Sequence, residues 1–284
     1  MNKIATVSMV KNEIDIVESF VRHTCKFADK MYICDHKSTD GTRKLIEALA
    51  EELPIEVSTY DKDEKNQAGV TNNLISRALD EKFDIILPLD ADEFVIKKDG
   101  DSENLREYLQ NLNIDKCYRV LLQDHRFVDN DTEKFALSRS SVQVETKVGT
   151  MKIIIGREFF LKNHLRISPG NHDLITADQK SLLSQDPEEK IVPHDPTIFY
   201  AHFALRSPEQ KISKYMQAWL STQLIGTQYT VLDVHGKKFV NEYLKDESAA
   251  KIDLTGFFPA KYLEPYKNEC NLDKNGGGMK VISM

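Results

Sequence analysis

Apolar and polar positions alternate through the first 95 residues in a regular strand–helix rhythm. KIATVSMV (3–10) is a continuous β-prone run. Over 13–29, Ile14, Val17, Val21, Cys25 and Ala28 fall on one helical face. MYICD (31–35) is a short apolar run closing in acid, and 42–52 has helical spacing. IEVSTY (55–60) alternates as a strand does, and 66–81 sets Val70, Leu74, Ala78 and Leu79 at helical intervals. FDIILPLD (83–90) is again an apolar run that stops in acid. Continuous apolar strands separated by amphipathic helices predict a parallel sheet buried on both faces. In such sheets ligands bind beyond the carboxyl ends of the strands. Chemistry is therefore expected in the loops after Val10, Asp35, Tyr60 and Leu89.

Past residue 100 the rhythm breaks. A helix is expected at 102–112, strands at 117–123, 151–156 and 197–205, and a loop-rich stretch at 163–195. SPEQ (207–210) reads as a helix start, with Ser207 as cap, Pro208 in the first turn and Gln210 closing a capping box. Tyr215 and Trp219 continue that helix at core-like spacing. The last 60 residues are weakly patterned. The expected organisation is a nucleotide-binding half at 1–95, an acceptor half at 96–225 and a C-terminal extension at 226–284. The extension either packs on the rest or forms a contact between copies.

Composition narrows the class. The 284 residues carry 38 basic and 45 acidic side chains, a net charge of −7, with 40% hydrophobic residues. That is the usage of a globular chain, and the acidic balance excludes a general nucleic-acid binder. No apolar run approaches the ~18 residues of a membrane span. No signal-peptide pattern opens the chain, so a cytoplasmic location is expected. Cys25, Cys34, Cys117 and Cys270 are scattered, which argues against a zinc site or a disulfide framework.

Asp90, Asp92 and Glu93 follow IILPL directly. Three acids in four residues repel one another and are costly to desolvate, and a hard divalent cation would relieve them. Such a cation would in turn hold a diphosphate.

VSMVKNE (7–13), CDHKSTDGT (34–42) and LPLDADEFV (87–95), in that order at three strand ends, resemble family-2-type glycosyltransferases of the GT-A fold. GNHDL (170–174) and YAHFALRS (200–207) look like further segments of a bacterial subgroup that decorates polysaccharides or glycoproteins. The resemblance implies an α/β fold with a mostly parallel central sheet flanked by helices, a mixed acceptor side and a helical C-terminal part. It implies a UDP-sugar donor, a glycan, glycoprotein or lipid-linked acceptor, Mn²⁺ or Mg²⁺ as cofactor, and an inverting transfer. A lipid-linked acceptor would bring the protein to the membrane surface without an anchor.

Carried onto this chain, Val10, Asn12 and Glu13 would meet the base and ribose, although Asn12 also suits a helix cap. Asp35 would accept from the uracil or the ribose. Ser38–Gly41 build the turn behind it. Asp92 would bind the metal directly, and Asp90 through water or a ribose hydroxyl. His202 is the candidate third ligand, and Lys152 and Arg206 are candidates for the diphosphate. An inverting transfer needs one base for the acceptor proton. Asp173 and His172 both fit that role by type. The chain lacks the acidic acceptor pair common in the family and the Q-x-x-R-W segment of its processive members. Two alternatives stay open: a module that binds nucleotide or carbohydrate without turnover, and a nucleotidyltransferase. The latter would want a glycine-rich loop after the first strand, and VSMVKNEID has none.

Overall fold

The computed structural model describes residues 1–63, 65–99, 104–127, 136–138, 141–144 and 150–204, with 206, 210, 214, 270–272 and 279–281. It divides into two units: Met1–Asp61 with Asn66–Ala204, and Lys62–Lys65 with Leu205–Met284. Among the described residues no helix is long and apolar enough to cross a membrane.

Among the described residues the first unit has eleven strands, β1 (Ile4–Val10), β2 (Lys30–Asp35), β3 (Ile55–Thr59), β4 (Ile85–Pro88), β5 (Glu93–Lys97), β6 (Tyr118–Phe127), β7 (Ser141–Gln143), β8 (Thr150–Gly156), β9 (Arg166–Ile167), β10 (Leu174–Ile175) and β11 (His194–His202). Its helices are α1 (Val17–Thr24), α2 (Thr42–Ala50), α3 (Gln67–Asp80), α4 (Leu105–Gln110) and α5 (Arg157–Lys162). The main sheet runs β3-β2-β1-β4-β8-β6-β11-β5, with β7 on β6. The first four strands are parallel. Beyond them β8 is antiparallel to both β4 and β6, β11 is parallel to β6, and β5 is antiparallel to β11. This is the α/β class that the alternating rhythm predicts.

The side-chain period of two explains the uninterrupted apolar runs. Ile4, Met31, Ile33, Ile85, Leu87 and Ile154 face one core with Val17, Phe20, Ile46 and Leu109 of α1, α2 and α4. Ala5, Val7, Tyr32, Ile86, Ile153 and Ile155 face the other with Leu74, Ile75 and Phe160 of α3 and α5. Both faces are buried, so neither can be polar. Helices α1 and α2 cover one face and α3 the other because the strand order reverses between β1 and β4. That reversal is the switch point at which such sheets open a crevice.

Pro88 ends β4 and Glu93 begins β5, yet β8, β6 and β11 stand between those strands. Four strand spacings across a flat sheet come to about 19 Å. Five residues fully extended span at most about 17 Å, and this link is turned, with Glu93 N–H donating to the Asp90 carbonyl at 3.0 Å. The sheet therefore curls until its far edge meets β4. The link that closes the curl carries Asp90 and Asp92.

Several expectations shift in detail. Ile14 is 40% exposed, because the helix begins at Val17 and not at 13. Strand β5 and helix α5 go beyond the predicted elements. In the second unit Cys270–Leu272 (β12) pairs antiparallel with Met279–Val281 (β13). The helix expected around Tyr215 and Trp219, its Ser207 cap and most of 226–284 lie outside the described residues.

Candidate active site

Two acidic strand ends lie on either side of β1. At the first, Val10 pairs with Asp35, and the Val10 carbonyl accepts from His36 N–H at 2.8 Å. Asp35 is buried; one carboxylate oxygen accepts from Ser38 N–H at 3.1 Å. Its other oxygen, Oδ1, has no partner. Asn12 has a left-handed backbone (φ 54°) and does not cap α1, whose cap position is Ile16. Its N–H donates to Ser38 Oγ at 2.9 Å and its Oδ1 accepts from Thr39 N–H at 2.8 Å. Asn12 Nδ2 is buried and has no partner.

Glu13 N–H donates to Thr42 Oγ1, and Ile14 N–H to Asp40 Oδ2. Asp40 also accepts from Thr42 N–H at 2.9 Å, closing the turn into α2 as a helix-start acid does. VKNE and DHKSTDGT are thus stitched into one rigid double loop. Gly41 (φ 99°) permits the turn. Among the buried side-chain atoms of the loop, Asp35 Oδ1 is an unspent acceptor and Asn12 Nδ2 an unspent donor.

The second acidic end is balanced by charge. Lys152 enters from β8, which runs antiparallel to β4 and so starts where β4 ends. Its ammonium lies 3.0 Å from Asp90 Oδ2, 2.6 Å from Glu93 Oε1 and 2.7 Å from the Gly170 carbonyl. Asp90 Oδ1 accepts from Gln67 Nε2 at 2.7 Å. Glu93 Oε2 accepts from Asp90 N–H at 3.1 Å. Burial opposes the Lys152 charge, but Asp90 and Glu93 outweigh it and hold its pKa up. Burial, with Asp90 beside it, pushes Glu93 up to about 7. Lys152 is thus hydrogen-bonded to Asp90 and the Gly170 carbonyl and charge-paired with Glu93, inside the protein.

Asp92, buried at the turn, is met by His202 from the end of β11, Nε2 to Oδ2 at 3.6 Å. The Asp92 carbonyl accepts from Phe203 N–H at 2.8 Å, fixing the two segments together. The other ring nitrogen of His202, Nδ1, is 2.7 Å from Asp124 Oδ1. Register explains the meeting: His202 stands opposite both Glu93 of β5 and Asp124 of β6. Burial works against a charged His202, but Asp92 and Asp124 outweigh it and raise its pKa to about 10.

The loop after β9 supplies the candidate bases. His172 Nδ1 donates to the Met151 carbonyl at 2.8 Å, which leaves Nε2 as the unprotonated nitrogen. Burial and Lys152 lower its pKa, which favours the neutral ring. Gly170 is obligatory beneath it: φ is 74°, and a Cβ would lie 2.7 Å from His172 Cδ2. Asp173 faces its own loop, with Oδ1 accepting from Leu174 N–H at 2.7 Å and from Leu183 N–H at 3.2 Å. Arg206 belongs to the second unit, where its N–H donates to Gln210 Oε1 at 3.4 Å.

The fold thus brings Asp90, Asp92, Lys152 and His202 together, with His172 one residue beyond the Lys152-bound turn. It gathers Val10, Asn12 and Asp35 at the neighbouring strand end. Two participants escaped the sequence reading. Asp124 lies one residue past the predicted strand 117–123, and Gln67 opens the helix after Tyr60, a loop that the strand-end rule had marked.

Among the described residues no group of three or more His, Cys, Asp or Glu side chains is arranged to hold a metal ion. The chain offers two, Asp92 Oδ2 and His202 Nε2, converging on one point, with Asp124 orienting the ring from behind. An oxygen–imidazole pair fits Mn²⁺ only after Nε2 of His202 has given up its proton, so the ion would displace that proton on binding. Each Asp90 oxygen already accepts one hydrogen bond, from Gln67 and from Lys152.

No family model matches the chain, and no curated protein matches it. Among solved structures, it is similar to S. aureus TarS 1-349, at 14% identity and a TM-score of 0.46, over 85% of this chain and 70% of that one. The same fragment in complex with UDP-GlcNAc gives 15% and 0.45 over 85% and 71%. GalNAc-T7 with UDP, GalNAc and Mn²⁺ gives 12% and 0.41 over 94% and 55%. No chemistry transfers at this degree of likeness, so a functional reading has to stand on the chain's own side chains.

Proposed function

We propose that the protein is a metal-assisted glycosyltransferase that moves a sugar from a UDP-sugar to a hydroxyl of a glycan, glycoprotein or lipid-linked acceptor, with inversion. The observation that carries this reading is the convergence of Asp92 and His202, with Asp124 behind the imidazole, at the closing link of the sheet. The motif order at three strand ends supports it independently.

Asp35 Oδ1 and Asn12 Nδ2, one acceptor and one donor, complement the N3–H and an adjacent carbonyl of uracil. Asp92 and His202 would hold Mn²⁺ or Mg²⁺. Bound there, the metal would neutralise charge on the departing diphosphate. Gln67 and Lys152 keep Asp90 fixed beside it. His172 Nε2 takes the proton of the acceptor hydroxyl as that oxygen bonds to the anomeric carbon and the bond to UDP breaks. The loop bonds of Asp173 suit the turn better than proton transfer. The cytoplasmic location belongs to the same proposal.

The test is thermal stability with UDP, with Mn²⁺ and with both, for wild type and Asp92→Ala. A ligand at a hundred times its dissociation constant adds about 2.7 kcal/mol, a shift of several degrees. UDP is expected to stabilise the wild type only with Mn²⁺, and to lose that effect in a folded Asp92→Ala protein. No stabilisation of the wild type by any nucleoside diphosphate with any divalent ion would remove the proposal. Binding without donor consumption would leave a binding module in its place.

A further inference from the structure

We infer that Lys152 is a positioning residue that couples the donor-binding acid cluster to the turn carrying His172; the inference rests on the transferase reading. The Lys152 side chain is 2% exposed, and its ammonium bridges two segments distant in sequence. Asp90 and Glu93 belong to the link between β4 and β5, and the Gly170 carbonyl belongs to the 168–173 turn. A buried cation is tolerable only where its donors are met, so neither side can move away without cost. The residue before it acts on the same turn, since the Met151 carbonyl accepts from His172 Nδ1. The first residues of β8 thus grip the turn at Gly170 and at His172 while holding the acid cluster with the same ammonium.

This grip has a consequence for the order of events. A divalent ion and a diphosphate arriving beside Asp92 change the field around Asp90 and Glu93, and with it the strength with which they hold Lys152. The Gly170 carbonyl is the remaining acceptor, so donor binding is transmitted to the segment that places His172. Lys152 would touch neither the sugar nor the diphosphate, and acts through Asp90 and Gly170.

Hydrogen exchange of the backbone amides of 165–176, with and without UDP and Mn²⁺, reads this coupling directly. In the wild type, UDP with Mn²⁺ is expected to slow exchange in that segment at least threefold. In Lys152→Met, UDP with Mn²⁺ is expected still to raise the melting temperature while the segment no longer responds. With a UDP-sugar the same variant is expected to keep KM within about threefold and lose at least tenfold in kcat.

Should Lys152→Met fail to fold, Lys152→Met with Glu93→Gln removes the more buried of the two carboxylates left without their cation and takes its place. Bound UDP with no response in the wild type, or a response that survives in the folded variant, overturns the inference while the transferase reading stands. Absence of UDP binding in the wild type overturns both, and thermal stability alone identifies that case.

Discussion

Strands β2 and β4 both run into acid on either side of β1, and the protein relieves the two ends in different ways. Asp35, at the end of β2, is held by a backbone N–H of its own turn, inside a double loop stitched by Ser38, Asp40 and Thr42, and keeps one oxygen unspent. Asp90, Asp92 and Glu93, beyond β4, are met by Lys152, His202 and Gln67. Neutral dipoles leave a carboxylate poised to accept one hydrogen bond from a planar partner, which selects a ligand by shape. Cationic side chains leave a cluster near charge balance that can take a further cation and a polyanion together. On the proposed reading the difference divides the labour: one end would recognise the nucleotide, and the other would manage charge.

The largest effect is expected at His172, the base of the proposed transfer. His172→Asn removes Nε2 while keeping a donor at the Nδ1 position for the Met151 carbonyl. A lost general base costs between about a hundredfold and ten-thousandfold. Turnover of the UDP-sugar is expected to fall about a thousandfold, with the UDP and Mn²⁺ stabilisation retained. Asp173→Asn, whose carboxylate serves Leu174 and Leu183 N–H, is expected to lose less than tenfold. The reverse ranking would move the base to Asp173 and detach His172 from the charged end.

A second experiment separates the chemistry of both ends from the stability of the fold that carries them. His23 of α1 is buried, 2.9 Å from the Val95 carbonyl of β5, and packs at a tilt against the Phe94 ring. Burial drives its pKa down to about 4 from 6.5. The unfolded chain then binds the extra proton first, so stability is intact above pH 6.5 and is lost as the pH falls toward 4. The shift corresponds to about 3 kcal/mol. Urea unfolding of His23→Gln between pH 7 and pH 4 is expected to show a flatter profile than wild type. An unchanged slope would assign the acid sensitivity to the strand ends instead.

The parallel half was legible because its strands are buried on both faces and stop abruptly in acid. The residues between Lys11 and Ile16 were harder. They look helical by spacing, yet their N–H groups are drawn to Ser38, Thr42 and Asp40, side chains more than twenty residues away. Strand β5 was missed because EFVIK is defined by its pairing with β11, and α5 because six residues hardly show a period. In the site, Asp92 and His202 were marked by their segments, but nothing local marked Asp124. Its role depends on the β6–β11 register. Lys152 was visible as a candidate, yet its partners follow from β8 lying antiparallel beside β4, a pairing that no local pattern encodes.

The smallest expected effect probes the recognising end and is the most specific. Asp35→Asn keeps the shape and can still offer an oxygen to Ser38 N–H, but it turns an amide NH₂ toward the ligand where Oδ1 had been. Uracil presents N3–H there, so a donor would face a donor. Cytosine has an acceptor at N3, and the amide would suit it. A lost charge-assisted bond with an unmet donor left behind costs roughly 1.4 kcal/mol or more, about tenfold in affinity. UDP is expected to bind Asp35→Asn about tenfold more weakly by calorimetry in the presence of Mn²⁺, while CDP is weakened less or improved. The Mn²⁺ requirement is expected to persist, because Asp92 and His202 are untouched. Equal weakening of both nucleotides would mean that Asp35 meets the ribose and not the base. Recognition at this end would then be for the sugar of the nucleotide, and base selection would have to come from elsewhere in the double loop.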